Sequence, residues 1–261
     1  MDPLILKVLE NGVLTLSFNR PDRRNAWATD LEDALRLELD LADANPAVRV
    51  IILTGAGSTF CPGPAPGALA RASGSQRRPE SPEADLEQRY SYMLGLRKPL
   101  IAAINGAAAG VGFCITLYCD LRFIVEDARI TTAFTRRGLV AEHGSAWMLP
   151  RLIGPMHATD LLLTGRVITG AEAQAMGLAR ALPRDGFLRH VQAFAADMAL
   201  SCSPRSLAVV KRQLGAALRQ TLAEATCMAA EETSIALSHP DLEEGIAHFV
   251  EKRRPRFRDL V

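Results

Sequence analysis

The chain has 261 residues, of which 48% are hydrophobic, and its 30 Lys and Arg residues nearly balance 29 Asp and Glu residues. This length can bury a sizeable core in one or two domains, and a formal net charge of +1 predicts no general attraction to nucleic acid or to a membrane surface. The five cysteines are odd in number and lack metal-ligand spacing, and neither a secretion leader nor a run of about 18 apolar residues is found, so we expect a cytoplasmic protein with reduced thiols and no metal.

The first predicted elements are two strands that form a hairpin. Leu4 to Leu9 and Val13 to Phe18 alternate or run apolar, and Asn11-Gly12 between them is typical of a two-residue hairpin turn. Further along, the β-branched run from Val48 to Leu53 predicts a strand that is buried on both faces.

A helix and a loop are predicted around that strand. Thr29 is a candidate N-cap, with Glu32 three residues later completing a capping box, for a helix that runs to about Ala44. Residues 62–82 are crowded with Pro, Gly, Ser and Arg, which predicts a loop. A further helix is expected over about 83–95.

The most informative segment is PLIAAINGAAAGVGFCITLYCD, residues 99–120. An apolar strand, Leu100 to Ile104, leads through a small-residue turn to Gly-Val-Gly at 110–112, and the apolar run from Phe113 to Cys119 is long enough for a helix. A tight glycine turn before a helix leaves the first N–H groups of that helix unpaired, so they can hold a phosphate or an oxyanion. Alternatively, the glycines serve only the close packing of helix against strand.

The last quarter of the chain predicts only helices. A strand is still predicted at Leu121 to Val125, but from residue 205 onward the apolar spacing is helical. The predicted helices are Arg205 to Arg219, Thr221 to Leu237 and Asp241 to Lys252. The composition changes near Ser201 to Pro204, which predicts a boundary between a core of residues 1–200 and an all-helical region of residues 201–261.

Four collinear segments resemble the crotonase superfamily, the enoyl-CoA hydratases and isomerases, and the likeness extends from about Leu6 to Phe257. The segments are SFNRPDRRNAW (Ser17 to Trp27), ILTGAGSTFCPG (Ile52 to Gly63), IAAINGAAAGVGF (Ile101 to Phe113) and GIAHFVEKRRPRF (Gly245 to Phe257). The resemblance implies an α/β fold, a spiral of ββα units followed by a C-terminal helical trimerisation region, with trimers commonly paired into hexamers. It also implies that the loop at 62–82 covers the active site, and that the substrate is an acyl-CoA thioester with no separate cofactor.

By the same resemblance, two backbone N–H groups hold the negative charge that develops on the thioester oxygen. One is the N–H of Val111, which follows Gly110 of the substrate pocket; the other belongs to the residue after Gly63, which here is Pro64. Proline has no N–H. Three alternatives follow: the loop is shifted so that Ala65 donates, the site uses one donor with a side chain or water, or the protein binds CoA thioesters without turnover.

Two positions where hydratases carry their acid–base carboxylates are occupied here by Cys114 and Phe134. Neither side chain exchanges a proton usefully near neutral pH, and both are more simply interpreted as packing residues of the substrate pocket. Cys61, before the oxyanion loop, is a further candidate lining residue. Two-carboxylate hydration is therefore not expected.

Glu142 is the main candidate for acid–base chemistry. By resemblance it falls at the start of the next helix, where dienoyl-CoA isomerases and an aryl-CoA dehalogenase carry a working carboxylate. A glutamate at a helix start can also be no more than a favourable partner of the helix dipole. His143 is a second catalytic candidate, although a single loop histidine is often only a polar surface group.

Contacts with CoA are expected from both ends of the chain. Arg20 and Arg24 lie in a basic loop, where guanidinium groups suit phosphate oxygens, and relatives use the backbone around Ala26. Phe249 and Lys252 match residues that close over the CoA nucleotide, often from a neighbouring subunit, and helical spacing predicts that they share one face. The alternatives are a solvated basic turn and a solvated basic tail.

The leading hypothesis is an enoyl-CoA hydratase/isomerase-type enzyme that acts on an acyl-CoA thioester, with Glu142 as its single acid–base group and Val111 as an oxyanion donor. One carboxylate suits isomerisation better than hydration, because the same group can take and return the proton. A catalytically degenerate acyl-CoA binding protein and an acyl-CoA thioester hydrolase are the alternatives. We expect a homotrimer or a dimer of trimers.

Overall fold

A computed structural model of the chain describes residues 2–65, 67 and 89–260. The strands in this part are β1 (Ile5–Glu10), β2 (Val13–Phe18), β3 (Val50–Gly55), β4 (Thr59–Cys61), β5 (Leu100–Ile104), β6 (Ala107–Ala109), β7 (Leu121–Val125), β8 (Arg129–Thr131), β9 (Ile168–Thr169) and β10 (Arg180–Leu182). The α-helices are α1 (Thr29–Ala44), α2 (Val111–Leu117), α3 (Ser145–Thr164), α4 (Gly170–Ala175), α5 (Phe187–Ser201), α6 (Pro204–Ala217), α7 (Leu222–Leu237) and α8 (Pro240–Glu251).

The strands form two sheets. The larger sheet has the order β1-β2-β3-β5-β7-β10, and the smaller sheet has the order β4-β6-β8-β9. Three successive strand pairs, β3–β4, β5–β6 and β7–β8, are divided between the sheets: the first strand of each pair joins the larger sheet and the second joins the smaller one. Within each sheet, the strand of one pair runs parallel to the strand of the pair before it. The chain therefore advances by one strand in both sheets with every repeat, which confirms the predicted α/β spiral of ββα units.

The core lies between the larger sheet and the helices that cover it. Every residue of β3 and of β5 is buried, as expected for central parallel strands that are covered on both faces. Leu31, Leu35 and Leu39 of α1 are at most 1% exposed, because a spacing of four places them on one face of the helix.

The N-terminal hairpin has the predicted turn. Asn11 and Gly12 both have positive φ, at 51° and 76°, as a type I′ turn requires. The capping box predicted for α1 is wrong, since the helix begins at Thr29 itself and Ala28 is an N-cap without a side-chain hydrogen bond.

Glu32, the expected capping partner, contacts the side chains of Trp27 and Arg89 instead. Its carboxylate accepts a hydrogen bond from the indole Nε1 of Trp27 (3.2 Å) and forms an ion pair with Arg89. Burial alone would raise the pKa of Glu32, but the hydrogen bonds and charge of Arg89, together with the Trp27 bond, outweigh it and lower the pKa. Tertiary partners thus replace the local cap.

Most of the loop predicted at 62–82 and the first part of the helix predicted at 83–95 lie outside the described residues. Residues 89–95 form a turn followed by the 3₁₀ helix Ser91–Gly95, so this end of the predicted α-helix is wrong. Tyr90, Tyr92 and Met93 are all buried. These positions do not share one face of an α-helix, so packing selects a tighter turn.

The C-terminal helices are attached to the core by buried polar contacts. Lys211 of α6 is buried, and its Nζ donates to Asp120 Oδ2 (2.7 Å) and to the Lys98 carbonyl (3.0 Å). α6 begins at Pro204, after the Ser203 N-cap, close to the predicted composition boundary. The division into residues 1–200 and 201–261 stays a prediction. Among the helices of the described residues, none combines the length and apolarity needed to cross a membrane.

Candidate active site

The two predicted oxyanion segments lie side by side. They follow β4 and β6, which pair in parallel, so the chain leaves both strands at the same edge of the smaller sheet. A Cβ on Gly63 would lie 2.9 Å from the Ala109 carbonyl oxygen, and a Cβ on Gly112 would lie 2.1 Å from the Cys61 carbonyl oxygen. Only glycine permits backbones to approach this closely.

The turn before α2 presents unpaired N–H groups. Gly110 has φ 53° and ψ −124°, its N–H donates to the Thr131 carbonyl (3.2 Å), and its carbonyl accepts from the N–H of Cys114 (2.9 Å). The next N–H groups, of Val111 and Gly112, are the first of the helix and have no acceptor within it. Val111 is buried, and its role as an oxyanion donor stays a prediction.

The turn after β4 has a different hydrogen-bond pattern. Gly63 has φ 83°, and its carbonyl accepts from the N–H of Trp27 (3.0 Å). Trp27 and Pro64 form an isolated parallel bridge. Because proline has no N–H, Pro64 itself donates no hydrogen bond in this bridge.

Asn25, which was not among the predicted site residues, anchors the loop that leads to Trp27. It is fully buried and has φ 58°. Its Nδ2 donates to the carbonyls of Thr59 (2.7 Å) and Ala56 (3.0 Å), and its Oδ1 accepts from the N–H of Arg20 (2.9 Å). The predicted CoA loop is therefore fastened to the turn between β3 and β4. The only sequence signal was a residue type that tolerates the left-handed region.

The arginines of this loop are placed in different surroundings. The Arg20 side chain is mostly buried and pairs with Asp30 (3.0 Å), whereas Arg24 is exposed. The N–H of Ala26 donates to the Arg23 carbonyl (3.0 Å). A phosphate would meet Arg24 at the surface and would share Arg20 with Asp30; the CoA contacts themselves stay a prediction.

Glu142 lies before α3 rather than at its start. The helix begins at Ser145 after the N-cap Gly144, and the Glu142 carbonyl accepts from the N–H (3.1 Å) and the hydroxyl (2.7 Å) of Ser145. The Cys114 thiol approaches the same carbonyl at 4.0 Å. Because Cys114 stands one helical turn after Val111, this contact brings Glu142 beside the oxyanion turn. The Glu142 side chain is 41% exposed, so its carboxylate is accessible.

The side chains at the two hydratase carboxylate positions are buried. Burial raises the pKa of the Cys114 thiol to about 12, against a smaller opposing effect of a hydrogen bond with Ser145. Phe134 is also buried, and its carbonyl accepts from the N–H of Leu139 (2.9 Å). Burial raises the pKa of Cys61 to about 12 as well. None of these side chains can act as a base near neutral pH.

His143 links Glu142 to an aromatic cluster that no pattern in the sequence indicated. The imidazole Nε2 lies 3.5 Å from Glu142 Oε2. The ring meets that of Tyr90 edge-on, with centroids 5.0 Å apart, and Tyr90 meets Trp27 in the same way at 6.0 Å. Residues far apart in the chain form this cluster, so local periodicity could not reveal it.

Phe249 and Lys252 do not share a helical face. α8 ends at Glu251, and Lys252 adopts φ 53° in the left-handed region, so the prediction from helical spacing is wrong for this residue. Phe249 lies on α8 and is 79% exposed. Their predicted contacts with CoA stay a prediction.

Comparison with known proteins gives a consistent result along the whole chain. The family model for enoyl-CoA hydratase/isomerase matches residues 9–260. A putative enoyl-CoA hydratase of Thermus thermophilus is 34% identical over 264 residues, covering 97% of this chain and 100% of the relative. The 1,2-epoxyphenylacetyl-CoA isomerase of Escherichia coli is 29% identical over 265 residues, covering 98% of this chain and 99% of the relative.

Solved structures agree with these relatives. A probable enoyl-CoA hydratase/isomerase from Mycobacterium abscessus matches with a TM-score of 0.88 at 32% identity, covering 98% of this chain and 99% of that one. An enoyl-CoA hydratase from Polaromonas sp. JS666 matches with a TM-score of 0.87 at 29% identity, covering 97% and 99%. The family model covers residues 9–260, and the fold is the spiral of paired strands with glycine turns at one edge of the smaller sheet. The chain belongs to the enoyl-CoA hydratase/isomerase family.

Proposed function

We propose that this family member is an enzyme that rearranges an acyl-CoA thioester through an enolate, with Val111 as oxyanion donor and Glu142 as its single acid–base group. The Glu142 carboxylate takes a proton from the substrate carbon, and the N–H of Val111 holds the enolate oxygen. The same carboxylate then returns the proton to another carbon. This cycle moves a double bond without a second carboxylate, and the likeness to an epoxyphenylacetyl-CoA isomerase supports it.

The contact between Cys114 and the Glu142 carbonyl carries this proposal. At 4.0 Å, it joins the loop that bears Glu142 to α2, the helix whose first N–H is that of Val111. This contact supports a site in which the Glu142 carboxylate and the N–H of Val111 act on the same substrate. A general base must reach the proton while the oxyanion donor reaches the carbonyl oxygen, so the two groups have to be this close together.

We further propose that the oxyanion site operates with one backbone donor from the chain. The bridge between Trp27 and Pro64 holds this part of the loop against Trp27, which argues against the alternative in which a shifted loop lets Ala65 donate. A side chain or a water molecule would then supply the second hydrogen bond. The loss of one donor would slow the enolate step but leave it possible.

A trimer, or a dimer of trimers, is proposed as the assembly. The C-terminal helices expose large apolar side chains, which are Leu214, Leu222, Ile235, Leu237, Ile246, Phe249 and Val250. Leu222 is 85% exposed, and several large exposed apolar side chains on the C-terminal helices favour association. Light scattering of the purified protein measures its mass directly; a monomer at micromolar concentration would contradict this assembly.

A catalytically degenerate acyl-CoA binding protein is the second candidate. Pro64 removes one donor, and the Cys114 thiol, whose pKa is raised to about 12 by burial, is not a base. These departures weaken the two-carboxylate hydration of the family without affecting thioester binding. A thioester hydrolase that uses Glu142 is distinguished by its product, since it alone would release free CoA.

The variant Glu142→Gln tests the proposed base. It keeps the shape and hydrogen-bonding capacity of the side chain but removes the base. Turnover should therefore fall by about 10²–10⁴, the usual contribution of a positioned general base. NMR in deuterated buffer detects exchange of α- or γ-protons in butyryl-, octanoyl-, phenylacetyl- and crotonyl-CoA without knowledge of the product. The affinity for acetoacetyl-CoA, measured by calorimetry, should change little.

Each other outcome has a distinct meaning. Exchange that survives Glu142→Gln removes Glu142 from the mechanism. Acetoacetyl-CoA binding with no exchange of any of these thioesters by the unmutated protein favours the binding protein, and release of free CoA favours the hydrolase. The matched control is Glu126→Gln, which alters a carboxylate in the turn between β7 and β8 and should leave exchange unchanged.

A further inference from the structure

We propose that His143 is a positioning residue for Glu142: two tyrosines hold the histidine, and its imidazole orients the neighbouring carboxylate. This inference rests on the proposed function, because it assigns His143 a role relative to the Glu142 base. It goes further in naming the group that keeps an otherwise accessible carboxylate in a single working orientation.

The backbone at His143 is the first observation. His143 and Gly144 are consecutive residues with positive φ, at 56° and 66°. This region is less favourable for a residue that carries a Cβ than for glycine, so a glycine at 143 would be the relaxed choice. A side chain kept at such a position indicates that the side chain itself is needed.

Two tyrosines determine where that side chain lies. The hydroxyl of Tyr118 donates to the His143 carbonyl (2.7 Å), and a Cβ on Gly144 would lie 2.4 Å from the same hydroxyl oxygen, so this approach depends on glycine. The ring of Tyr90, which is buried against Trp27, meets the imidazole edge-on at 5.0 Å. The His143 side chain is only 11% exposed.

The held imidazole faces the candidate base. Its Nε2 lies 3.5 Å from Glu142 Oε2, whereas the Glu142 side chain is 41% exposed. An accessible glutamate samples several rotamers, and only some of them can reach a substrate proton. An N–H or a positive charge at this distance favours one orientation of the carboxylate. His143 therefore acts on the substrate through Glu142.

A matched pair of substitutions separates this role from simple packing. His143→Gln places an amide nitrogen near the position of Nε2, which faces Glu142. Asparagine in His143→Asn tolerates the left-handed backbone, but its amide occupies the position of Nδ1 and cannot reach the Glu142 carboxylate. The test uses the thioester whose protons exchange fastest with the unmutated protein. The kcat of His143→Gln should stay within about threefold of the unmutated value, and the kcat of His143→Asn should fall about tenfold. KM and the urea unfolding midpoint should change little in both variants.

A double-mutant cycle with Glu142→Gln gives the decisive readout. If His143 acts through Glu142, His143→Asn should cause no further loss of exchange in the Glu142→Gln background. A merely structural residue would cost the same factor in both backgrounds. Equal rates for Gln and Asn at 143, or a loss that is the same in both backgrounds, would overturn the positioning role.

The failure of this inference can be told apart from the failure of the proposed function. Full activity of the Glu142→Gln single variant overturns the proposed base and the positioning role together. A large loss in Glu142→Gln combined with an additive effect of His143→Asn keeps the base and overturns only the role of His143. Absence of exchange in the unmutated protein overturns both.

Discussion

Two turns of this chain each contain a glycine with positive φ and differ in their chemistry. β4 and β6 are the second strands of successive ββ units, and each is followed by a glycine with positive φ, Gly63 at 83° and Gly110 at 53°. The next residue is Pro64 in the first turn and Val111 in the second. In the proposed oxyanion site, the glycine permits the bend of each turn, whereas the residue that follows decides whether the turn offers an N–H.

Val111→Pro would make the second turn resemble the first. Val111 is the first residue of α2, a position where proline is tolerated because its missing N–H has no acceptor in the helix. We therefore expect the fold to persist and proton exchange to fall by about 10²–10³, the effect of removing one oxyanion donor. The control is Val111→Ala, which keeps the N–H. A proline variant that exchanges as fast as the alanine variant would exclude Val111 as a donor.

Pro64→Ala makes the opposite change, in the first turn. In this parallel bridge Trp27 makes the hydrogen bond across, to the Gly63 carbonyl, and the backbone N–H of the opposite residue points away from Trp27. A new N–H at position 64 would therefore not be bonded by Trp27. The rate of proton exchange should rise by about 10-fold, with about 10² as the upper limit set by one donor. Pro62→Ala is the matched control. A rate that is unchanged or reduced would show that the proline positions the loop or that another group already donates.

The two glycines should also differ in how well they tolerate a side chain. A Cβ on Gly63 would lie 2.9 Å from a backbone carbonyl oxygen, whereas a Cβ on Gly110 would meet nothing nearer than 4.0 Å. Gly110→Ala should lose about 2 kcal/mol of unfolding free energy, because φ 53° with ψ −124° strains any residue that carries a Cβ, and Gly63→Ala about 3 kcal/mol, because its Cβ also meets the carbonyl oxygen. Urea unfolding measures both. A larger loss at Gly110 than at Gly63 would contradict the close approach of the two turns.

The candidate site was partly predictable from the sequence, and the two turns show why. Gly63, Gly110 and Gly112 were visible because each stands between an apolar strand and the next element, and Pro64 lacks an N–H in any fold. The bridge between Pro64 and Trp27 was not visible, because it joins residues from separate segments of the chain. The position of Glu142 relative to α3 was missed by a few residues, since Gly144 delays the start of the helix.

The strands near residues 4–18, 48–53, 100–104 and 121–125, the Asn11-Gly12 hairpin and the helical tail were determined by the sequence itself. These features depend on residues that are neighbours in the chain, through side-chain periodicity and turn geometry. Tertiary structure alone decided that Glu32 pairs with Arg89 instead of capping α1, that Asn25 anchors the first loop, and that Tyr90 and Tyr118 hold His143. The partners in each of these contacts come from separate elements, and only the packing of those elements sets the distance between them.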